Sequence, residues 1–157
     1  MTALDNNNQS NQLQLVSFKI GAEEFGINIL EVQEIIRMVE ITSVPQTPDY
    51  VEGVINLRGK VIPVVDLRKR LSMETQQRDH NTRIVVVDVD NEIMGLIVDS
   101  VSEVLRIPAG SIEPAPEIIT GMDAEYIKGV VKLEEKLLMS LDLSKIVDPR
   151  QIADVVG

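Results

Sequence analysis

The chain has 157 residues, 15 of them basic and 25 acidic, for a net charge of −10, and it contains no cysteine. An acidic surface argues against general nucleic-acid binding and against docking on an anionic bilayer, since both need a basic footprint; the missing cysteines remove disulfides, thiol nucleophiles and thiolate metal sites. Apolar residues make up 44%, only Phe18, Phe25, Tyr50 and Tyr126 are aromatic, and Val plus Ile number 39 against 14 Leu, a β-branched excess that predicts a mostly-β chain.

Residues 1–12 carry Asn-Asn-Asn-Gln-Ser-Asn-Gln and almost nothing apolar, which predicts a disordered N-terminal tail. Leu15 to Ile20 alternates and reads as a strand, with a second strand over Glu23 to Ile27 after a turn at Gly21. Leu30 to Ile36 mixes its apolar spacing and is assigned a short helix. Tyr50 to Asn56 and Lys60 to Val65 flank Leu57-Arg58-Gly59-Lys60, a hairpin turn with glycine at its positive-φ position. Leu67 to Leu71 reads as a closing helical turn. The polar stretch from Ser72 to Asn81 then divides the chain nearly in half.

The second half repeats the first. Phe25-Gly26-Ile27-Asn28-Ile29 lines up with Met94-Gly95-Leu96-Ile97-Val98 at an offset of 69, which also carries Arg37 onto Arg106 and Pro45 onto Pro114. Seven inserted residues later the offset is 76: Tyr50 matches Tyr126, Gly53-Val54-Ile55 matches Gly129-Val130-Val131, and Asp66-Leu67 matches Asp142-Leu143. One unit occurs twice, so two similar small barrels of five short strands, related by a pseudo-twofold, are expected. Gly26 should then sit where Gly95 sits, and Gly53 where Gly129 sits. The expected division is a first barrel over 13–80, a second over 81–147 and a C-terminal helical tail over 148–157.

Chemistry-bearing patterns are few. His80 is the only histidine and lies in the polar connector. Gly53 to Lys60 fails as a phosphate loop, because five residues separate its glycines and Val61 follows the lysine. Asp88, Asp90, Glu92 and Asp99 fail as a calcium loop, because Ile93 stands where glycine is needed. No catalytic residue, cofactor or metal is therefore expected. The competing class, a ligand-binding or hydrolytic β-barrel, would need convergent polar groups that the sequence does not offer. Charge is more informative. The span from Arg58 to Arg83 holds seven of the basic residues and only three acidic ones. It reads either as a docking face for an acidic partner or, at Arg68-Lys69-Arg70, as a solvated helix surface. Arg58-Gly59 in the first hairpin faces Glu134-Glu135 at the matched place in the second, a contrast expected if the two copies meet different partners.

Val51-Glu52-Gly53-Val54-Ile55-Asn56-Leu57-Arg58-Gly59-Lys60-Val61-Ile62-Pro63-Val64-Val65-Asp66-Leu67 resembles the signature of the CheW family of bacterial chemotaxis coupling proteins. Phe25 to Ile35 resembles that family's second characteristic stretch, and Pro114-Ala115-Pro116-Glu117 its second-half motif. The resemblance spans about residues 13 to 147. It implies two five-stranded SH3-like barrels in a single CheW-like domain over 13–157. It also implies a non-enzymatic adaptor that joins the cytoplasmic tips of methyl-accepting chemoreceptors to the regulatory domain of the histidine kinase CheA. Such an adaptor is cytoplasmic, uses no cofactor, inserts into no membrane and is recruited to membrane-bound receptor arrays. By motif, Arg58 is a principal receptor contact, with Val32 and Glu34 beside it and Gly53 and Val54 shaping the adjoining surface; Ile118, Ile119 and Met122 fall where the family's second barrel meets the kinase. Because the chain ends at Gly157, a stand-alone coupler is expected rather than a fusion.

Overall fold

The computed structural model describes residues 12–114 and 126–148. The expected tail over 1–12, apart from Gln12, lies outside the described residues, as does the C-terminal tail beyond Asp148. The first half forms β1 (Gln12–Ile20), β2 (Glu23–Asn28), β3 (Val32–Arg37), β4 (Val51–Leu57), β5 (Lys60–Asp66) and the one-turn helix α1 (Leu67–Arg70). The second half forms β6 (Arg83–Val89), β7 (Glu92–Val98), β8 (Ser100–Pro108), β9 (Ile127–Lys132), β10 (Leu137–Leu141) and α2 (Leu143–Ile146). Five strands per half agree with the duplication.

One expected element is corrected. The helix assigned to Leu30–Ile36 is a single 3-10 turn, Ile29–Glu31, that runs straight into strand β3. The Asn28 side chain accepts the Leu30 N–H at 2.9 Å and starts the turn. Val32, Ile35 and Ile36 then pair antiparallel with the valine-rich strand β6. A β-bulge between Val32 and Glu34 breaks the alternation, and that extra residue is what scrambled the period in the sequence.

The division of the chain into barrels is also corrected. The sheets run β8-β1-β2-β10-β9 and β3-β6-β7-β5-β4, so each takes strands from both halves and neither coincides with 13–80 or 81–147. Within each half the β1–β2 type hairpin joins the sheet of the other half's remaining strands. The halves are equivalent but interleaved. Gly26 pairs with Ser17 and Ser140, and Gly95 with Val86 and Val64, which are their counterparts at the same offsets. Gly53 pairs with Val64 as Gly129 pairs with Ser140.

Each sheet closes on itself through the chain that follows its edge strand. Thr42, beyond β3, exchanges two backbone hydrogen bonds of 2.9 Å with Val54 of β4. Glu113, beyond β8, does the same with Val130 of β9 at 2.8 and 2.9 Å. Closure removes open edges that would otherwise template aggregation. The barrel interiors are small and aliphatic: Ile55, Ile62, Ile84 and Ile97 in one, Leu15, Ile107, Val131 and Leu138 in the other. The largest apolar cluster draws on both sheets and both helices, including Phe18, Phe25, Val85, Leu96, Leu143 and Ile146. Phe18 and Phe25 face each other in register with centroids 6.0 Å apart. Most of the core thus holds the barrels to each other, the expected solution when each is too small to bury enough on its own.

Candidate functional site

The Arg58 site is built on the β4–β5 hairpin. Leu57 pairs with Lys60, leaving the two-residue turn Arg58-Gly59 with φ of 52° and 83°. Two positive φ values make a type I′ turn, whose twist matches that of the flanking strands. The Asn56 side chain accepts the Gly59 N–H at 2.9 Å and braces the turn. Arg58 is thereby held outward, with a side chain 71% exposed.

Its guanidinium donates to both carboxylate oxygens of Glu34 on β3, Nη1 to Oε1 at 3.1 Å and Nη2 to Oε2. A planar fork on a carboxylate fixes direction as well as charge. Glu34 stands opposite Val86 just past the bulge, which turns it toward the barrel mouth. There Glu34, Leu57, Arg58, Ile62, Val86 and Ile93 line a cavity of about 270 Å³. Two residues predicted from separate stretches of sequence are therefore in contact, 24 positions apart.

The other predicted positions divide. Val32 is half-buried, sits opposite Val87 and packs on the large cluster between the barrels. Val54 is half-buried and bonds to Thr42. Gly53 is buried at the closure, where a β-carbon would stand 2.0 Å from the Thr42 carbonyl oxygen. Its residue type is therefore explained by the barrel seam. Ile118, Ile119 and Met122 lie outside the described residues. The sequence reading missed Leu30, 88% exposed on the 3-10 turn two residues before Val32. A leucine inside a mixed-period segment carries no signal of its own exposure.

Past the exposed Arg58 and Lys60, most of the basic span is paired with acidic groups of the fold rather than left free, Arg68 and Lys69 included. Arg68 Nε donates to Asp99 at 2.9 Å, Lys69 pairs with Glu52 at 2.5 Å, and Arg78 reaches Glu52 at 3.1 Å and Asp66 at 3.2 Å. Arg70 stacks between Tyr50 and Tyr126, 4.7 and 4.9 Å from their ring centroids, and donates to the Ile146 carbonyl. Excess charge in a sequence window is not excess charge in space where acidic groups fold against it.

The second barrel's mouth differs in chemistry. At the places matching Val86, Val64 and Ile93 stand Ser17, Ser140 and Glu24, all buried. Glu24 accepts from Ser17 at 2.5 Å and pairs with Lys136 at 2.6 Å. Burial alone would raise its carboxyl, but Lys136 and Ser17 hold it below the ordinary range. Burial is likewise outweighed at Glu52, by Lys69 and Arg78, and at Asp99, by Arg68 and the Gly21 N–H. Glu31 goes the other way, raised by burial. For the three lowered groups the unfolded chain binds protons more readily than the folded one, so stability rises with pH across the interval. Their contribution is complete above the ordinary carboxylate values and disappears as pH falls through the lowered ones. Denaturant melts should therefore show a falling midpoint below roughly pH 4. Glu24→Gln should flatten that fall, and an unchanged acid slope in this variant would show that Glu24 does not contribute.

Among the described residues, no cluster of His, Asp or Glu is arranged to hold a metal, and no helix is long and apolar enough to cross a membrane. Residues 14–151 match the family model described as CheW-like domain. The chain is 37% identical over 140 residues to the chemotaxis protein CheW of Klebsiella aerogenes, covering 89% of this chain and 84% of that one. It is 33% identical over 145 residues to the CheW of Treponema pallidum, covering 90% and 85%. The crystal structure of the scaffolding protein TtCheW from Thermoanaerobacter tengcongensis superposes with a TM-score of 0.80 at 37% identity, covering 87% of this chain and 90% of that one. With a repeated five-strand unit, a closed pair of barrels and a family match over nearly the whole described length, this chain belongs to the CheW-like family.

Proposed function

We propose that the protein is a non-enzymatic chemotaxis adaptor, a scaffold that binds the cytoplasmic tip of a methyl-accepting chemoreceptor and the regulatory domain of the histidine kinase CheA. It works in the cytoplasm, where it is recruited to membrane-bound receptor arrays. The observation that carries the receptor half of this reading is the Glu34–Arg58 fork, an exposed guanidinium oriented on a rigid two-residue turn. Val32 and Val54 supply apolar surface near it, and Arg58 sets register by donating to a carboxylate or to backbone carbonyls of the helical tip. The kinase half rests on the family's second-barrel segment containing Ile118, Ile119 and Met122.

Arg58→Ala is expected to weaken binding to a receptor-tip fragment by ~1–3 kcal/mol, the range for a lost charge-assisted hydrogen bond. Binding to the kinase regulatory domain should be unchanged. Folding stability should move by less than about 1 kcal/mol, because the lost ion pair is exposed. Paired titrations and a melting curve for each protein check this. Equal losses toward both partners, or a large drop in melting temperature, would assign Arg58 to the fold instead. Incubation of the protein with the active kinase and labelled ATP should leave no label on this chain; stable label on it would overturn the adaptor reading.

A further inference from the structure

The interleaved topology has a consequence for assembly. Four ladders join the halves, β1–β8, β2–β10, β3–β6 and β5–β7. Only residues 72–81 connect them covalently, and this connector contributes no strand and is exposed apart from half-buried Met73. The surface each half presents is thus complementary to the other half, whichever chain supplies it. We propose that residues 72–81 form a hinge through which two copies of this chain exchange halves, so that strands β1–β5 of one copy pair with strands β6–β10 of the other. A second copy is the partner the geometry selects, because it alone presents the same four ladders and the same inter-barrel core. Every strand pair of the monomer is kept in such a dimer; only the connector's path changes.

The connector is fastened in its closed path by the basic span. The Arg68 guanidinium donates to the Glu74 carbonyl and the Gln76 side chain, each at 2.6 Å, while its other side-chain bonds go to Asp99 of the opposite half. Arg78, within the connector, is tied back to Asp66 and Glu52 of the first half. These ties favour the monomer by holding the hinge bent, and the high effective concentration of a tethered half does the same. Removing the ties or shortening the hinge shifts the balance toward exchange.

The test uses the full chain. A protease site is inserted between Thr75 and Gln76 in the wild type and in Arg78→Ala, and a third protein lacks residues 74–79, leaving four connector residues for a path that now takes ten. Each is refolded from denaturant at high protein concentration and weighed by light scattering. Wild type should be mainly monomer, Arg78→Ala should contain more dimer, and the shortened chain should be mainly dimer, all with native far-UV dichroism. Cleaving the connectors of the isolated dimer should halve its mass without loss of dichroism, since the exchanged units are joined only there. A dimer that keeps its mass after cleavage is a surface contact and overturns the proposal. So does a native monomer at every concentration for Arg78→Ala and for the shortened chain; if the shortened chain does not fold, Arg78→Ala alone decides.

Discussion

Gly53→Ala is expected to destabilise the protein by ~3–5 kcal/mol, combining backbone strain with forced overpacking. The φ of Gly53 is 147°, and a β-carbon there would lie 2.0 Å from the Thr42 carbonyl oxygen and 2.7 Å from its carbon. Both neighbours are backbone, and both belong to the bridge that closes the barrel, so relief requires opening the seam. Gly129→Ala should behave similarly, since its β-carbon would meet the Glu113 carbonyl oxygen at 2.4 Å. Gly59→Ala is the control: nothing lies within 4 Å, and only the positive φ of 83° is penalised, at about 1 kcal/mol. Urea unfolding of the three variants checks the order. If Gly53→Ala cost no more than Gly59→Ala, the barrel would not close where the Thr42–Val54 bridge puts it.

Arg70→Ala is expected to cost ~2–4 kcal/mol, from two cation–π contacts and a charged hydrogen bond to a carbonyl. Arg70 and Ile146 are counterparts in the two halves at the offset of 76, as are Tyr50 and Tyr126. Arg70 touches all three of the others. A residue that contacts its own counterpart lies at the axis relating the two units, so the guanidinium sits where the halves meet. Arg70→Lys should recover only part of the loss, because an ammonium lacks the flat face that stacks between two rings. A lysine variant as stable as wild type would reduce Arg70 to a point charge, and an alanine variant within ~0.5 kcal/mol of wild type would make it an ordinary surface residue.

The local features of the chain were legible in one dimension. The hairpin at Arg58-Gly59 follows from a glycine between two apolar runs, and the duplication follows from matched residues at two offsets; both depend on neighbours in sequence or on identity of type. The helix expected over Leu30–Ile36 failed for a tertiary reason. Its β-branched residues had a waiting partner in Val85 to Val87, and pairing plus packing outweighs a weak helical period. The basic span was only partly legible for the same reason, because Asp99 and Glu52 pair with Arg68, Lys69 and Arg78 from other elements. Of the site, Arg58, Glu34 and Val32 could be named from motif, but the fork that joins the first two could not.

What the sequence by itself determined is the repeated unit, its strand content, its turn chemistry and its family, since these are written in residue types and short spacings. What only the tertiary structure decided is how two similar units share their strands. A tandem arrangement and an interleaved one use the same elements with the same local propensities. They differ in which copy's β-edge each hairpin meets, a choice made between residues far apart in the chain. Length, closure of the seams at Thr42 and Glu113, and burial of one shared core between the barrels select the interleaved form, and those are properties of the folded whole.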